Sequence, residues 1–183
     1  EVILLPLFPQ YASATTGSVA DKFMRILRDA WVIPSFQIIE QFWDNPRYLD
    51  AVARRAEKFN LAEYDHVLFS YHGLPERQLD KIYADNKWRN HSCDHEINDE
   101  NKLCYKATCY ATSREIAERC GIDPSHYTVA FQSRLGKGWI EPFSDKVIED
   151  LAKKGAKKLL VFSPAFIADC LETTIEIGEE YQE

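Results

Sequence analysis

The amino-acid sequence predicts an α/β domain with an open parallel sheet and helices on both faces of that sheet. Short runs rich in β-branched or aromatic residues alternate with longer segments whose apolar residues recur at helical spacing. Glycine, proline and asparagine stand where the helical segments are expected to begin or end. Because this β-then-α order repeats, successive strands are expected to lie parallel, with helices packed around them.

Five runs are predicted to be strands and five segments to be helical. The strands are expected at residues 2–5, 32–39, 66–69, 127–131 and 158–162. The helices are expected at residues 13–30, 46–59, 105–119, 142–154 and 171–183. The polar, asparagine-rich stretch at about residues 80–104 has no periodicity and is interpreted as an insertion or a long functional loop.

Single residues mark the ends of several predicted helices. Asn45 is an N-cap candidate, and Pro46 after it suits the first position of a helix. Gly121 and Gly155 are expected to end the third and fourth helices.

The composition is that of one globular domain covering residues 1–183. A chain of 183 residues that is 45% hydrophobic can bury a single core. A net charge of −7 argues against nucleic acid as a partner, because phosphate binding needs a basic patch. No apolar run approaches the ~20 residues of a membrane span, and residues 1–6 lack the basic region of a signal peptide. We therefore expect a cytoplasmic protein, with peripheral membrane association left open.

Two polar signatures each follow a strand-like run. Residues 70–75 (SYHGLP) follow the run 67–69, and residues 169–173 (DCLET) follow the run 159–162. Side chains just beyond the carboxyl ends of parallel strands line the crevice where ligands bind. A histidine and a carboxylate that meet there can hold a divalent metal or exchange protons with a substrate.

Four segments together resemble the signatures of one enzyme family, ferrochelatase, which inserts ferrous iron into a porphyrin in haem biosynthesis. They are residues 9–18 (PQYASATTGS), 69–77 (FSYHGLPER), 131–142 (FQSRLGKGWIEP) and 163–181 (SPAFIADCLETTIEIGEEY). The resemblance implies a chelatase-like fold of two similar α/β halves, of which this chain is similar to the second. It also implies a lyase whose partners are a porphyrin, ferrous iron as substrate, and the missing first half of the same polypeptide. Both ends of the chain are expected to be cut.

The resemblance implies roles for several polar residues. It places the family's active-site histidine at His72 and a metal- and proton-handling glutamate at Glu172. Asp169, just before the predicted helix, is a further candidate metal ligand on account of its position. Glu176 and Glu180 follow Glu172 at helical spacing and could pass cations or protons towards the cleft, although a solvated acidic face is the alternative interpretation for Glu180. His66 and His126 lack such a setting and are interpreted as structural.

Aromatic side chains are expected to line the porphyrin site, because rigid walls could ruffle the macrocycle for metal entry. The candidates are Tyr11 and Trp139, which lie within matching segments, and Phe42 and Trp43, which match loosely. Burial in the core is the alternative interpretation for each of them.

The cysteines raise a separate question. Cys93, Cys104 and Cys109 cluster near the polar insertion, and Cys120 follows at some distance. Some ferrochelatases carry a [2Fe–2S] cluster, for which four thiolates are the usual requirement. A cluster, a zinc ion bound with help from His91 and His95, and unligated thiols all stay open.

Two classes of function are therefore compatible with the sequence. The first is a catalytic part of a ferrochelatase that acts on protoporphyrin IX or coproporphyrin. The alternative is a tetrapyrrole- or metal-binding module of the same fold, such as a cobalt or nickel chelatase relative or a haem carrier.

Overall fold

The computed structural model describes residues 1–182 and contains five parallel strands. Strands β1 (Val2–Leu4) and β2 (Phe36–Ile38) form a two-stranded sheet. Strands β3 (His66–His72), β4 (Tyr127–Gln132) and β5 (Leu159–Phe162) form a second sheet in the order β4-β3-β5. The predicted parallel α/β fold is confirmed, with the strands divided between two sheets.

Five α-helices accompany the strands in the described part of the chain. They are α1 (Ser18–Arg28), α2 (Pro46–Ala56), α3 (Glu76–Asp80), α4 (Tyr105–Cys120) and α5 (Ser144–Lys153). The Asn45 side chain caps α2 by accepting the Arg47 backbone N–H at 3.0 Å. Gly121 ends α4 in the left-handed conformation, with φ 66°. The predicted cap and stop at these two positions are thereby confirmed.

The central strand β3 has helices on both of its faces. Successive side chains of a strand point to opposite faces of a sheet. The Ser70 hydroxyl lies 2.8 Å from that of Ser144 on α5, whereas the Tyr71 hydroxyl lies 2.8 Å from that of Ser113 on α4. The two helices therefore cover opposite faces, and the middle of β3 is buried between them.

The N-terminal unit, defined here as β1, α1 and β2 with their connections (residues 1–39), packs less closely on this core. A short turn with i→i+5 bonding, Ser13–Gly17, precedes α1. The unit joins the rest through Ala12, which lies in the core, and through the Gln10 amide, which donates to the Thr112 hydroxyl at 3.0 Å. Many of its large apolar side chains are exposed.

The polar insertion has little regular secondary structure but packs on the core. Its only regular element in the described chain between α3 and α4 is a 3₁₀ turn, Trp88–Asn90. Tyr83, Trp88 and Cys93 fold back into the hydrophobic core, and the Asp80 carboxylate accepts the Trp88 backbone N–H at 3.0 Å.

The C-terminal segment differs from the regular helix predicted for residues 171–183. Residues Glu172–Ile177 form a π-helical turn, and a 3₁₀ turn follows at Glu180–Gln182. Residue 183 of that prediction lies outside the described residues. No helix within residues 1–182 is both long enough and apolar enough to cross a membrane.

Candidate active site

The candidate active site lies where β3 and β4 end side by side. His72 is the last residue of β3, and it pairs in register with Gln132, the last residue of β4. The strand thus extends three residues beyond the end predicted from the sequence, and His72 sits at the carboxyl edge of the sheet. This is the edge at which ligands bind in open parallel sheets.

The His72 ring has a defined orientation. Its Nδ1 lies 2.6 Å from the Gly73 carbonyl oxygen. A carbonyl oxygen can only accept, so Nδ1 carries the hydrogen and Nε2 of the neutral ring keeps a free lone pair. The Tyr105 hydroxyl donates to the His72 carbonyl at 2.9 Å and fixes the backbone at this point.

Gly73 lets two segments approach the histidine closely. A Cβ atom at this position would lie 2.8 Å from the Gln132 carbonyl oxygen and 3.3 Å from Cε3 of Trp139. The loop that carries Trp139 runs antiparallel to the backbone after His72, and the Ile140 N–H donates to the Leu74 carbonyl at 3.0 Å. The Trp139 ring is therefore held beside His72, with 6.4 Å between the ring centroids.

Glu172 faces His72 from the first position of the π-helical turn. Its Oε1 lies 4.0 Å from His72 Nε2, and both side chains are partly exposed. Hydrogen bonds from its own backbone N–H and from the Cys170 thiol, together with the field of His72, hold the pKa of Glu172 below its usual value. The pair offers a carboxylate and an imidazole nitrogen to one point in space, an arrangement that can hold a divalent cation or accept protons.

Glu176 is held by two residues of the β4 end. The Ser133 hydroxyl donates to this carboxylate, with its oxygen 2.7 and 2.9 Å from the two carboxylate oxygens. The Gln132 amide donates to Glu176 Oε2 at 2.9 Å and to the Glu172 carbonyl at 3.0 Å. Sequence reasoning did not single out Gln132 or Ser133. Their position inside the segment 131–142, at the end of a predicted strand, was the available signal.

The other two acidic candidates lie elsewhere. Asp169 is exposed and lines a groove of about 710 Å³ between α2 and the segment that follows β5. Glu180 is exposed in the 3₁₀ turn. Within residues 1–182 no three histidine, cysteine or acidic side chains are grouped closely enough to hold a metal ion. The structure thus brings together His72 and Glu172, but not Asp169 with them as a third ligand.

The four aromatic candidates fall into two groups. Tyr11 lines a small cavity together with Leu74 and Tyr105, both of which contact the His72 region. Trp139 lies beside His72 itself. Phe42, by contrast, packs edge to face on Tyr48 of α2, with ring centroids 5.5 Å apart, and the neighbouring Trp43 is partly buried.

Comparison with known proteins identifies the family. The ferrochelatase family model matches residues 1–183. The chain belongs to the ferrochelatase family. It is 43% identical over 182 residues to a ferrochelatase of Pseudomonas fluorescens strain SBW25, and 45% identical over 176 residues to one of Legionella pneumophila strain Corby. These matches cover 97% and 96% of this chain but only 53% and 52% of the relatives. The chain spans about half the length of the curated relatives it matches.

The positions of the four candidate cysteines can be compared with the ligands that a [2Fe–2S] cluster requires. The Cys93 and Cys104 sulfurs lie 3.7 Å apart, and the Tyr83 hydroxyl lies 3.1 Å from the Cys93 sulfur. The hydrogen bond between the two thiols lowers the pKa of Cys104 and raises the pKa of Cys93. Cys109 is buried on α4, and Cys120 lies at the end of that helix, about 16 Å further along it at 1.5 Å per residue.

The side-chain contacts of the two histidines of the insertion are made with residues other than the two thiols. The His91 ring stacks on Tyr83, with centroids 3.9 Å apart, and its Nε2 lies 3.2 Å from the Asp85 carboxylate. The His95 side chain is exposed. Four thiolates are the usual requirement of a [2Fe–2S] cluster, and the described residues of this ferrochelatase-family chain bring only two together. These residues alone do not complete the ligand set of such a cluster.

Proposed function

We propose that the full-length protein containing this chain inserts Fe²⁺ into a porphyrin, and that this chain carries the metal-side residues. The observation that carries the proposal is the His72–Glu172 pair, with Nε2 and Oε1 4.0 Å apart at the carboxyl edge of the sheet. Membership of the ferrochelatase family supports the same reaction.

The reaction exchanges two pyrrole N–H protons of the macrocycle for one ferrous ion. His72 Nε2 has the free lone pair needed to accept such a proton, because Nδ1 donates to the Gly73 carbonyl. Glu172 has a lowered pKa, so it stays ionised at neutral pH and attracts Fe²⁺ to the face of the ring. His72 accepts the two pyrrole protons one at a time and releases each to water, to which its side chain is partly exposed, while Glu172 delivers the cation.

Trp139 is proposed as a wall of the porphyrin site. Its ring is held beside His72 by the backbone pairing with Leu74 and by the absence of a side chain at Gly73. A rigid aromatic surface next to the proton acceptor can orient the macrocycle and press it out of plane. Tyr11, which lines the adjacent cavity, is proposed as a second contact.

We infer that the N-terminal unit docks against the part of the full-length polypeptide that lies outside this chain. Its two strands pair over only three residues each, and a two-stranded sheet is not stable by itself. The exposed apolar side chains of the unit are Val2, Ile3, Leu5, Leu7, Phe8, Met24, Ile26, Trp31, Val32, Ile33 and Phe36. A surface of this kind marks an interface. The relatives are about twice as long as this chain, so the same polypeptide provides the occupant.

A [2Fe–2S] cluster is kept as a hypothesis for the full-length protein only. Cys93 and Cys104 would supply two thiolates, and further ligands would have to come from outside the described residues. Visible absorption together with iron and sulfide analysis of the full-length protein tests it. We place the protein in the cytoplasm or peripherally at a membrane, in line with five unpaired cysteines.

The function is tested by ferrous insertion in the full-length protein, measured anaerobically with protoporphyrin IX and with coproporphyrin. His72→Ala is expected to lower turnover by at least about 100-fold, since it removes the proton acceptor. Glu172→Gln is expected to lower turnover with little change in melting temperature, since it keeps the shape and removes the charge.

His126→Ala is the control, because His126 lies in an exposed turn before β4 and should leave turnover unchanged. Substantial insertion by His72→Ala would contradict the assignment. A wild-type protein that binds porphyrin without inserting iron would instead support the tetrapyrrole-binding alternative.

A further inference from the structure

The π-helical turn that carries Glu172 lies at the surface, where apolar packing alone holds a segment weakly. None of its residues, Glu172–Ile177, is fully buried. Polar contacts can therefore contribute strongly to its position relative to His72. The side chains of Gln132 and Ser133 supply such contacts to Glu172 and Glu176.

Every polar group of the Gln132 amide is used. The side chain is 2% exposed. Its Oε1 accepts a hydrogen bond from the Ser70 hydroxyl at 2.7 Å, and its Nε2 donates one hydrogen to the Glu172 carbonyl and one to the Glu176 carboxylate. Ser70 in turn lies 2.8 Å from the Ser144 hydroxyl on α5. The turn is thus tied to the buried centre of the sheet through one fixed amide.

Ser133 is held in a backbone conformation that costs a non-glycine residue free energy, with φ 61°. In that conformation its hydroxyl reaches both oxygens of the Glu176 carboxylate. Such conformations persist where the surroundings over-determine them, often at functional sites. The strained residue lies directly after Gln132, so the two donors approach Glu176 together.

We propose that Gln132 and Ser133 are positioning residues that clamp the turn through Glu176 and so hold Glu172 opposite His72. Glu176 is the anchor of this clamp rather than a mobile relay, because its carboxylate accepts from two donors, the Gln132 amide and the Ser133 hydroxyl. The inference rests on the proposed function for its effect on turnover. The clamp itself is a property of the fold and can be measured without turnover.

Two replacements of Gln132 in the full-length protein distinguish the effect of its side-chain shape from the effect of its hydrogen bonds. Gln132→Met keeps most of the volume and removes the amide. Gln132→Glu keeps the shape but loses the donor and places a second carboxylate beside Glu176. We expect both to lower kcat by roughly 10- to 100-fold, the usual effect of removing a supporting hydrogen bond. The KM for porphyrin should change little, since Trp139 is untouched.

Hydrogen–deuterium exchange provides the readout that does not depend on activity. Residues 170–179 should take up deuterium faster in both variants, while β3 and the core of α4 stay protected. Thr128→Val is the matched control: it removes another side-chain hydrogen bond of β4, the 2.9 Å contact with His66, which lies far from the turn. It should change neither exchange nor kcat.

Ser133→Ala serves as a second variant if a Gln132 replacement prevents folding, because it removes one hydroxyl and leaves the buried amide in place. Faster exchange in residues 170–179 supports the clamp. Unchanged exchange there, or a Gln132→Glu protein with wild-type kcat, overturns it. If the wild-type protein inserts no iron, the proposed function fails, and the exchange result alone then decides whether the clamp exists.

Discussion

At Gly73 the backbone of the candidate site leaves no room for a side chain. A methyl group there would lie within 2.8 Å of the Gln132 carbonyl oxygen and 3.3 Å of Trp139. We expect Gly73→Ala to destabilise the full-length protein by about 1–3 kcal/mol, as overpacking does, and to move the Trp139 ring. Urea unfolding gives the stability, and tryptophan fluorescence reports the ring.

Gly17→Ala is the matched control for that change. Its Cβ would meet the Tyr11 hydroxyl at 3.4 Å, the Ser13 Cβ at 3.6 Å and the Ala12 carbonyl oxygen at 3.7 Å, which are ordinary contacts, and its φ of −62° suits any residue. We expect it to be neutral or slightly stabilising. Equal effects of the two replacements would mean that the close approach at Gly73 has no energetic consequence.

At the level of elements, the starts of β3 and β5 are joined by one carboxylate. Asp65 accepts the backbone N–H groups of Lys157 and Lys158 at 2.7 and 2.9 Å. These bonds lower the pKa of Asp65. A carboxyl whose pKa is lower in the folded state stabilises the fold above its unfolded pKa, near 3.9, and that stabilisation is lost as the pH falls through the folded pKa.

Asp65→Asn should therefore lower the melting temperature at pH 7, and the difference from wild type should shrink towards zero as the pH falls through the lowered pKa of Asp65. Thermal unfolding across this range is the measurement. Asp44→Asn is the control, because within residues 1–182 the Asp44 carboxylate makes no hydrogen bond or ion pair. A difference that persists unchanged at low pH would rule out the ionised carboxylate as its source.

Local sequence patterns predicted the presence of helices and strands better than the residues at which they begin and end. The run 32–39 contains Pro34, which has no N–H to donate, and only Phe36–Ile38 pair with β1. Helical periodicity also predicted a regular helix for residues 171–183, whereas the first part is a π-helical turn. Its long-range hydrogen bonds come from Gln132 and Ser133, about 40 residues away in sequence, and local periodicity contains no information about them.

In the candidate site, too, local motifs predicted some residues, whereas other residues act through contacts between elements that are distant in sequence. His72, Glu172 and Trp139 lie in segments with recognisable signatures, and the structure brings them together. The residues that orient them come from other elements, such as Tyr105 of α4, which bonds to the His72 carbonyl. Cross-element contacts of this kind depend on strand register and helix placement, which the sequence of one segment does not specify.

At the scale of the whole molecule, the exposed apolar face of the N-terminal unit is expected to contribute to stability only in the full-length protein, where docking would bury it. Ile26 on α1 is 59% exposed here, and the proposed docking would bury it. Ile26→Asp should then place a charge inside an interface, which costs several kcal/mol when the charge is unpaired.

Leu135→Asp is the matched control, because Leu135 is 85% exposed in a loop outside this unit. We expect chemical denaturation of the full-length protein to detect a loss above about 2 kcal/mol for Ile26→Asp and a change within about 0.5 kcal/mol for Leu135→Asp. Equal, small changes in the two variants would show that the face stays exposed to solvent in the full-length protein, and that the N-terminal unit is stabilised without a partner.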